Sequence, residues 1–166
     1  MSQQVVAPGK NFLLVTGILM TLFAVFGILG GVGGLSDAAY WDDIMPLGFM
    51  SWSMYYLLAL LGSLYDLFMG IMGIVNRARP EKAGFCKTLA IISIVLVVIF
   101  AILGSLAAGA ASSDIVGGEI GAEVGAAVGA AVGGIAMIFS LVIGLILPIL
   151  YFVGAHKNQA ALRAGN

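Results

Sequence analysis

The chain alternates four long apolar stretches with short polar ones. The apolar stretches cover residues of about 12–35, 46–75, 84–108 and 120–153. Each is about 24 residues or longer, so as a helix it spans about 36 Å or more, enough for a hydrocarbon layer of about 30 Å. Inside such a layer every backbone N–H and C=O must find a partner within the chain, and an isolated spanning segment does so only as a helix. The pattern therefore predicts four helices, even over the β-branched run I-I-S-I-V-L-V-V-I-F of the third. The first stretch is far longer than the apolar part of a secretory signal and follows a single lysine, so an uncleaved first span is expected. The fourth apolar run extends from 117 to 153, about 55 Å as a helix. Its first turns, with Glu119 and Glu123, are expected in or beyond the headgroups, and the polar tail from His156 is expected to fray.

Composition points the same way. Hydrophobic residues make up 61% and charged residues 9%, with a mean hydropathy of +1.13, where a soluble domain carries about 25% charge. The expected fold class is all-α: an integral membrane four-helix bundle forming one domain. Cys86 is the only cysteine, which excludes an intrachain disulfide.

Charge placement adds an orientation. The seven Lys and Arg (Lys10, Arg77, Arg79, Lys82, Lys87, Lys157 and Arg163) all fall at the N-terminus, in or beside the second polar stretch, or in the C-terminal tail. The first and third polar stretches hold none. The positive-inside rule then places both termini and the second loop in the cytoplasm, and the cytoplasmic membrane is the expected location. Six of the eight acids (Asp37, Asp42, Asp43, Asp114, Glu119 and Glu123) fall on the other side. Trp41, Trp52, Tyr55 and Tyr56 read as an interfacial aromatic belt. Pro46 suits the first turn of the second helix, and Ser112, Ser113 and Asp114 are N-cap candidates for the fourth.

Two patterns of small residues predict close helix packing. In the second helix Gly62, Asp66 and Gly70 recur every four residues, with Ala59 and Gly73 extending the face. In the fourth, Gly117, Gly121, Gly125, Gly129 and Gly133 form a glycine zipper. The 27/31 and 30/34 glycine pairs of the first helix have the same spacing.

Asp66 is the one acid at depth, about 13 Å from Val75 at the cytoplasmic end. Ionisable groups there are functional hypotheses by default. Counting equal depths in the other helices brings Thr21, Ser93 and Ser140 to its level as a polar layer. No Lys, Arg or His shares that depth, so Asp66 holds a hydrogen bond between helices, exchanges a proton or a cation, or pairs with a basic residue of another subunit. Arg77, Arg79, Lys82 and Lys87 are first a topology signal and second a candidate site for anionic lipid headgroups. His156 suits the C-terminal dipole of the fourth helix. The outer acids lack an EF-hand pattern, and no metal or cofactor is expected. Hydrolase, metalloprotease and P-loop motifs are missing, a single deep acid gives no aspartyl pair, and no basic surface suits nucleic acid. No enzymatic activity is expected.

The segment G-I-M-G-I-V-N-R-A-R-P-E-K-A-G-F-C, with the helices on either side, resembles the centre of small tetraspanning membrane proteins of Gram-positive bacteria. That group has no established activity, so the resemblance implies a four-helix membrane fold and nothing about chemistry. In topology the chain is also similar to claudin-type proteins, with a tryptophan in the first outer loop, but it lacks their extracellular cysteine pair. The expected role is structural: a subunit embedded in the lipid bilayer that packs with copies of itself or with a larger complex. The alternative is an oligomeric channel or transporter using Asp66 as a proton or cation site.

Overall fold

The computed structural model describes residues 7–44, 47 and 49–164, excluding the side chains at 111, 113–120 and 122. Its regular structure consists of α1 (Lys10–Ile44), α2 (Trp52–Asn76), a 3-10 turn (Pro80–Lys82), α3 (Ala83–Ile120) and α4 (Ala122–Ala164). Among the described residues four segments are long and apolar enough to cross a membrane: Lys10–Ile44, Trp52–Asn76, Pro80–Ala110 and Glu123–Ala164. Their outward faces carry large apolar side chains such as Phe23, Phe26, Phe139 and Ile143, each more than 60% exposed. Apolar surface on that scale marks contact with something other than water.

Helix ends differ from those that hydropathy indicates, α1 and α3 running further and α2 starting at Trp52 rather than at about 46, because hydropathy reports depth while helix ends are set by breakers and caps. Residues 36–44, expected as loop, continue α1: they contain no glycine or proline. Met45, expected at the end of the first loop, and Pro46, expected in the first turn of the second helix, lie outside the described residues. α2 begins at Trp52, where the Met54 N–H donates to Ser51 Oγ at 3.1 Å and the Trp52 N–H donates to Asp42 Oδ1 at 2.7 Å. These bonds satisfy two of the four donors that a helix start leaves open.

Residues 112–119, also expected as loop, are helical. Ser112 does not cap α4; its hydroxyl donates to the Ala108 carbonyl of its own helix at 2.8 Å. The side chains of Ser113 and Asp114 lie outside the description. The break falls at Gly121, with φ +107°, a conformation open to glycine and strained for other residues. The five-glycine stripe is therefore not one helical face. Gly117 belongs to α3, Gly121 stands between helices and is exposed, and Gly125, Gly129 and Gly133 remain as a buried row on α4. The tail to Ala164 is helical rather than frayed, since Gly154, Ala155 and Asn158 are buried.

The chain forms two compact units, and each helix contributes to both. Unit 1 comprises Met1–Phe26, Ser63–Leu96 and Leu145–Asn166. Its core gathers Leu13, Met20, Met69, Cys86, Leu89, Ala90, Tyr151 and Ala155.

Unit 2 comprises Gly27–Gly62 and Val97–Gly144 and packs largely at glycines. Gly31 lies against Leu60, Gly34 against the Tyr56 ring, Gly62 against Phe100 and Gly144 against Val97. A methyl group at Gly109 would fall 2.9 Å from the Gly129 carbonyl oxygen, and one at Gly133 would fall 2.6 Å from that of Ser105, so α3 and α4 meet backbone to backbone. The aromatic belt is one connected group: Trp52 stacks on Tyr56 at 5.8 Å and meets Tyr55 edge-on at 5.8 Å, and Trp41 lies 6.5 Å away.

Adjacent glycines test this packing. Gly133→Ala should destabilise the protein by about 1–3 kcal/mol, the usual cost of overpacking. Gly134→Ala, exposed with nothing within 4 Å of the new methyl, should stay within about 0.5 kcal/mol of the parent. Reversible unfolding in mixed micelles measures both; equal effects would contradict the close α3–α4 contact.

Candidate functional site

In unit 1, α2 grips α3 with two consecutive side chains. The Tyr65 hydroxyl donates to the Leu89 carbonyl at 2.7 Å, and Asp66 Oδ1 accepts from Ser93 Oγ at 3.3 Å. Leu89 and Ser93 are one turn apart, so a single turn of α3 receives both. Ser93 is buried and Asp66 is half-buried. Among the described residues no cation pairs with Asp66.

The small residues beside Asp66 do not share one neighbour. Gly70 meets α1, where a methyl group would fall 2.6 Å from Thr21 Oγ1 and 2.8 Å from the Gly17 carbonyl oxygen. Gly73 meets the Tyr151 ring of α4 and lies near the Leu13 carbonyl. In unit 2, Gly62 meets Phe100 of α3. Four residues overshoot a helical turn by about 40°, so eight residues turn the row by about 80°. The row expected to form one seam therefore meets a different neighbour at each glycine.

Of the expected polar layer, only Asp66 and Ser93 bond to each other. The Thr21 hydroxyl donates to the Gly17 carbonyl of its own helix at 2.8 Å. Ser140 belongs to unit 2 and is exposed. Arg77, Arg79 and Lys82 are exposed, while Lys87 is half-buried with its Nζ 5.3 Å above the Phe152 ring. Among the described residues no three His, Cys, Asp or Glu side chains gather as metal ligands.

A buried polar residue that joins distant segments, Asn158, lies in the tail expected to fray. It is fully buried. Its Oδ1 accepts from the Gly9 N–H at 2.7 Å, and its Nδ2 donates to the Arg77 carbonyl at 3.1 Å. One side chain thus ties the entry to α1 and the turn after α2 to α4. Gly9 and Gly154 make room for it: a methyl group at Gly9 would overlap the Gly154 carbonyl. The turn after α2 is held further by Arg79 N–H donating to the Asn76 carbonyl at 3.0 Å, with the Asn76 side chain donating to the Met72 carbonyl at 3.0 Å. Tyr151, Gly154, Ala155 and Asn158 fall at the spacing of one helical face, the one sequence signal that the tail packs. Tyr151 is buried in the cluster that holds Cys86, and its hydroxyl has no hydrogen-bond partner among the described residues.

No protein-family model, curated protein or solved structure matches the chain. Its function is therefore read from its own residues.

Asn158→Ala should lower the melting temperature in detergent, because it leaves the buried Gly9 N–H unpaired, at about 1–3 kcal/mol, and releases the part-buried Arg77 carbonyl. It should also speed proteolysis in the 77–82 turn. Gln159→Ala, next in sequence and only partly buried, should change neither. A silent Asn158→Ala would contradict the role of this side chain as a tie between three segments.

Proposed function

We propose that this chain is a multi-pass protein of the cytoplasmic membrane with a structural role, a helical subunit that assembles with copies of itself or with a larger membrane complex. The observation that carries this reading is the use of Asp66 inside the chain. Its carboxyl bonds to Ser93 while the adjacent Tyr65 bonds to Leu89, which is how a polar group at membrane depth acts as glue between helices. Gly17 and Gly70 bring α1 and α2 into backbone contact one turn away. Gly30, Gly33 and Gly134 leave open, close-approach surface on the outside of α1 and α4, as a subunit needs. The reading requires no catalytic chemistry.

A second reading rests on what Asp66 lacks. It is half-buried, has no cationic partner among the described residues, and meets Ser93 at the long end of hydrogen-bond range. Those features suit a proton or cation site in an oligomeric channel or transporter.

Two substitutions separate the readings. Asp66→Asn keeps the shape and hydrogen-bonding capacity but carries no charge; Asp66→Leu keeps neither. The structural reading predicts that Asp66→Asn retains expression and oligomeric state while Asp66→Leu loses stability, with no flux of H⁺, Na⁺ or K⁺ above empty liposomes for the parent. Flux in the parent that Asp66→Asn abolishes, with assembly intact, would establish the second reading.

The placement of all Lys and Arg supports cytoplasmic termini. In a Cys86→Ser background, a cysteine at Ser36 should react with an impermeant maleimide on intact cells, and one at Ala78 should react only after permeabilisation. Labelling of Ala78 alone would invert the topology.

A further inference from the structure

All seven Lys and Arg belong to unit 1, where the acids are Asp66 and Glu81. Asp66 is engaged with Ser93. The basic side chains come from three segments distant in sequence, and Asn158 joins these segments. Lys10 follows Gly9, Lys157 precedes Asn158, and Arg77 offers the carbonyl that Asn158 holds. The segment with Arg79 and Lys82 is fixed from beneath: Pro80 and Ala83 are buried, and the Lys82 N–H donates to the Arg79 carbonyl at 3.0 Å. The cations thus project from a braced backbone rather than from loose ends.

Two of them also mark a level. Lys157 Nζ lies 4.6 Å above the Phe12 ring, and Lys87 Nζ lies 5.3 Å above Phe152, which also stacks on the parallel ring of His156. An ammonium seated on an aromatic face at the edge of apolar surface keeps its stem in the apolar region and its charge outside it. Phe12, Val75 and Phe85, exposed nearby in sequence, continue that apolar surface. Among the described residues none of these cations is paired with a carboxylate.

We propose that this surface binds the phosphate groups of anionic phospholipids, with Lys10, Arg77 and Lys157 around the Asn158 tie as the inner phosphate ligands and Arg79 and Lys82 as outer ones. The guanidinium of Arg77 supplies a two-pronged donor and the lysines supply compact charge. The lipid rather than free phosphate is the occupant, because the cations stand at the rim of exposed apolar side chains along which acyl chains lie. The inference rests on the membrane reading above but not on the assembly role.

Thermal unfolding and native mass spectrometry of the full chain in a neutral detergent test it, with phosphatidylglycerol, phosphatidylcholine or inorganic phosphate added. Phosphatidylglycerol should raise the melting temperature and remain bound; phosphatidylcholine and inorganic phosphate should do neither. Arg77→Gln/Lys157→Gln should weaken phosphatidylglycerol binding by more than tenfold, at about fivefold for each basic side chain. Arg79→Gln/Lys82→Gln, in an exposed turn, should weaken it less and leaves a folded protein to measure if the inner variant does not fold. Equal retention of both phospholipids, an equal shift with inorganic phosphate, or unchanged phosphatidylglycerol binding in both variants would each overturn the proposal. Failure of the membrane reading looks different: the protein would then stay monodisperse without detergent.

Discussion

Helices surrounded by lipid gain nothing from burying apolar side chains against each other, because the lipid is equally apolar. Association then depends on how closely backbones approach and on a short set of hydrogen bonds. The packing within each unit is of that kind. Gly9 meets Gly154 and Gly17 meets Gly70 in unit 1; Gly109 meets Gly129 and Gly133 in unit 2. At each pair a single methyl group would strike a backbone oxygen. The bonds added in unit 1 are few and specific: Tyr65 to Leu89, Ser93 to Asp66, and Asn158 to Gly9 and Arg77.

The four helices are legible in the sequence because their apolar runs are long and almost uncharged. Their ends are less so. Residues 36–44 and 112–119 are polar enough to read as loops, yet nothing in 36–44 breaks a helix, and the α3–α4 break waits for Gly121, whose φ is positive. Counting depth found the Asp66–Ser93 pair, because both residues sit mid-helix on neighbouring spans. Ser140, brought to the same level by that count, belongs to unit 2 and is exposed. Asn158 escaped notice for the opposite reason: its neighbours in sequence are polar, and only the spacing from Tyr151 through Gly154 and Ala155 shows a buried face.

Charge divides along the same lines as packing. The segments of unit 1 carry every Lys and Arg, and Asp37, Asp42, Asp43 and Glu123 belong to unit 2. The residues that brace the basic segments, Gly9, Asn158 and Gly154, are thus the same ones that close α1 on α4. Stability and the presentation of charge are coupled through one buried amide. At Asp66 the coupling is between stability and the choice of role, since a carboxyl held by a neighbouring helix is less free to exchange its proton or take a cation.

The central claim, that Asp66 is a hydrogen-bonding tie between α2 and α3, is tested most directly by a double-mutant cycle. Asp66→Ala, Ser93→Ala and the double variant are compared by reversible unfolding in micelles. A bond between the two side chains predicts a coupling energy of about 0.6 kcal/mol, and up to about 1.7 kcal/mol, the range for buried bonds between membrane helices. Effects that add to within about 0.3 kcal/mol would show independent sites and contradict the account.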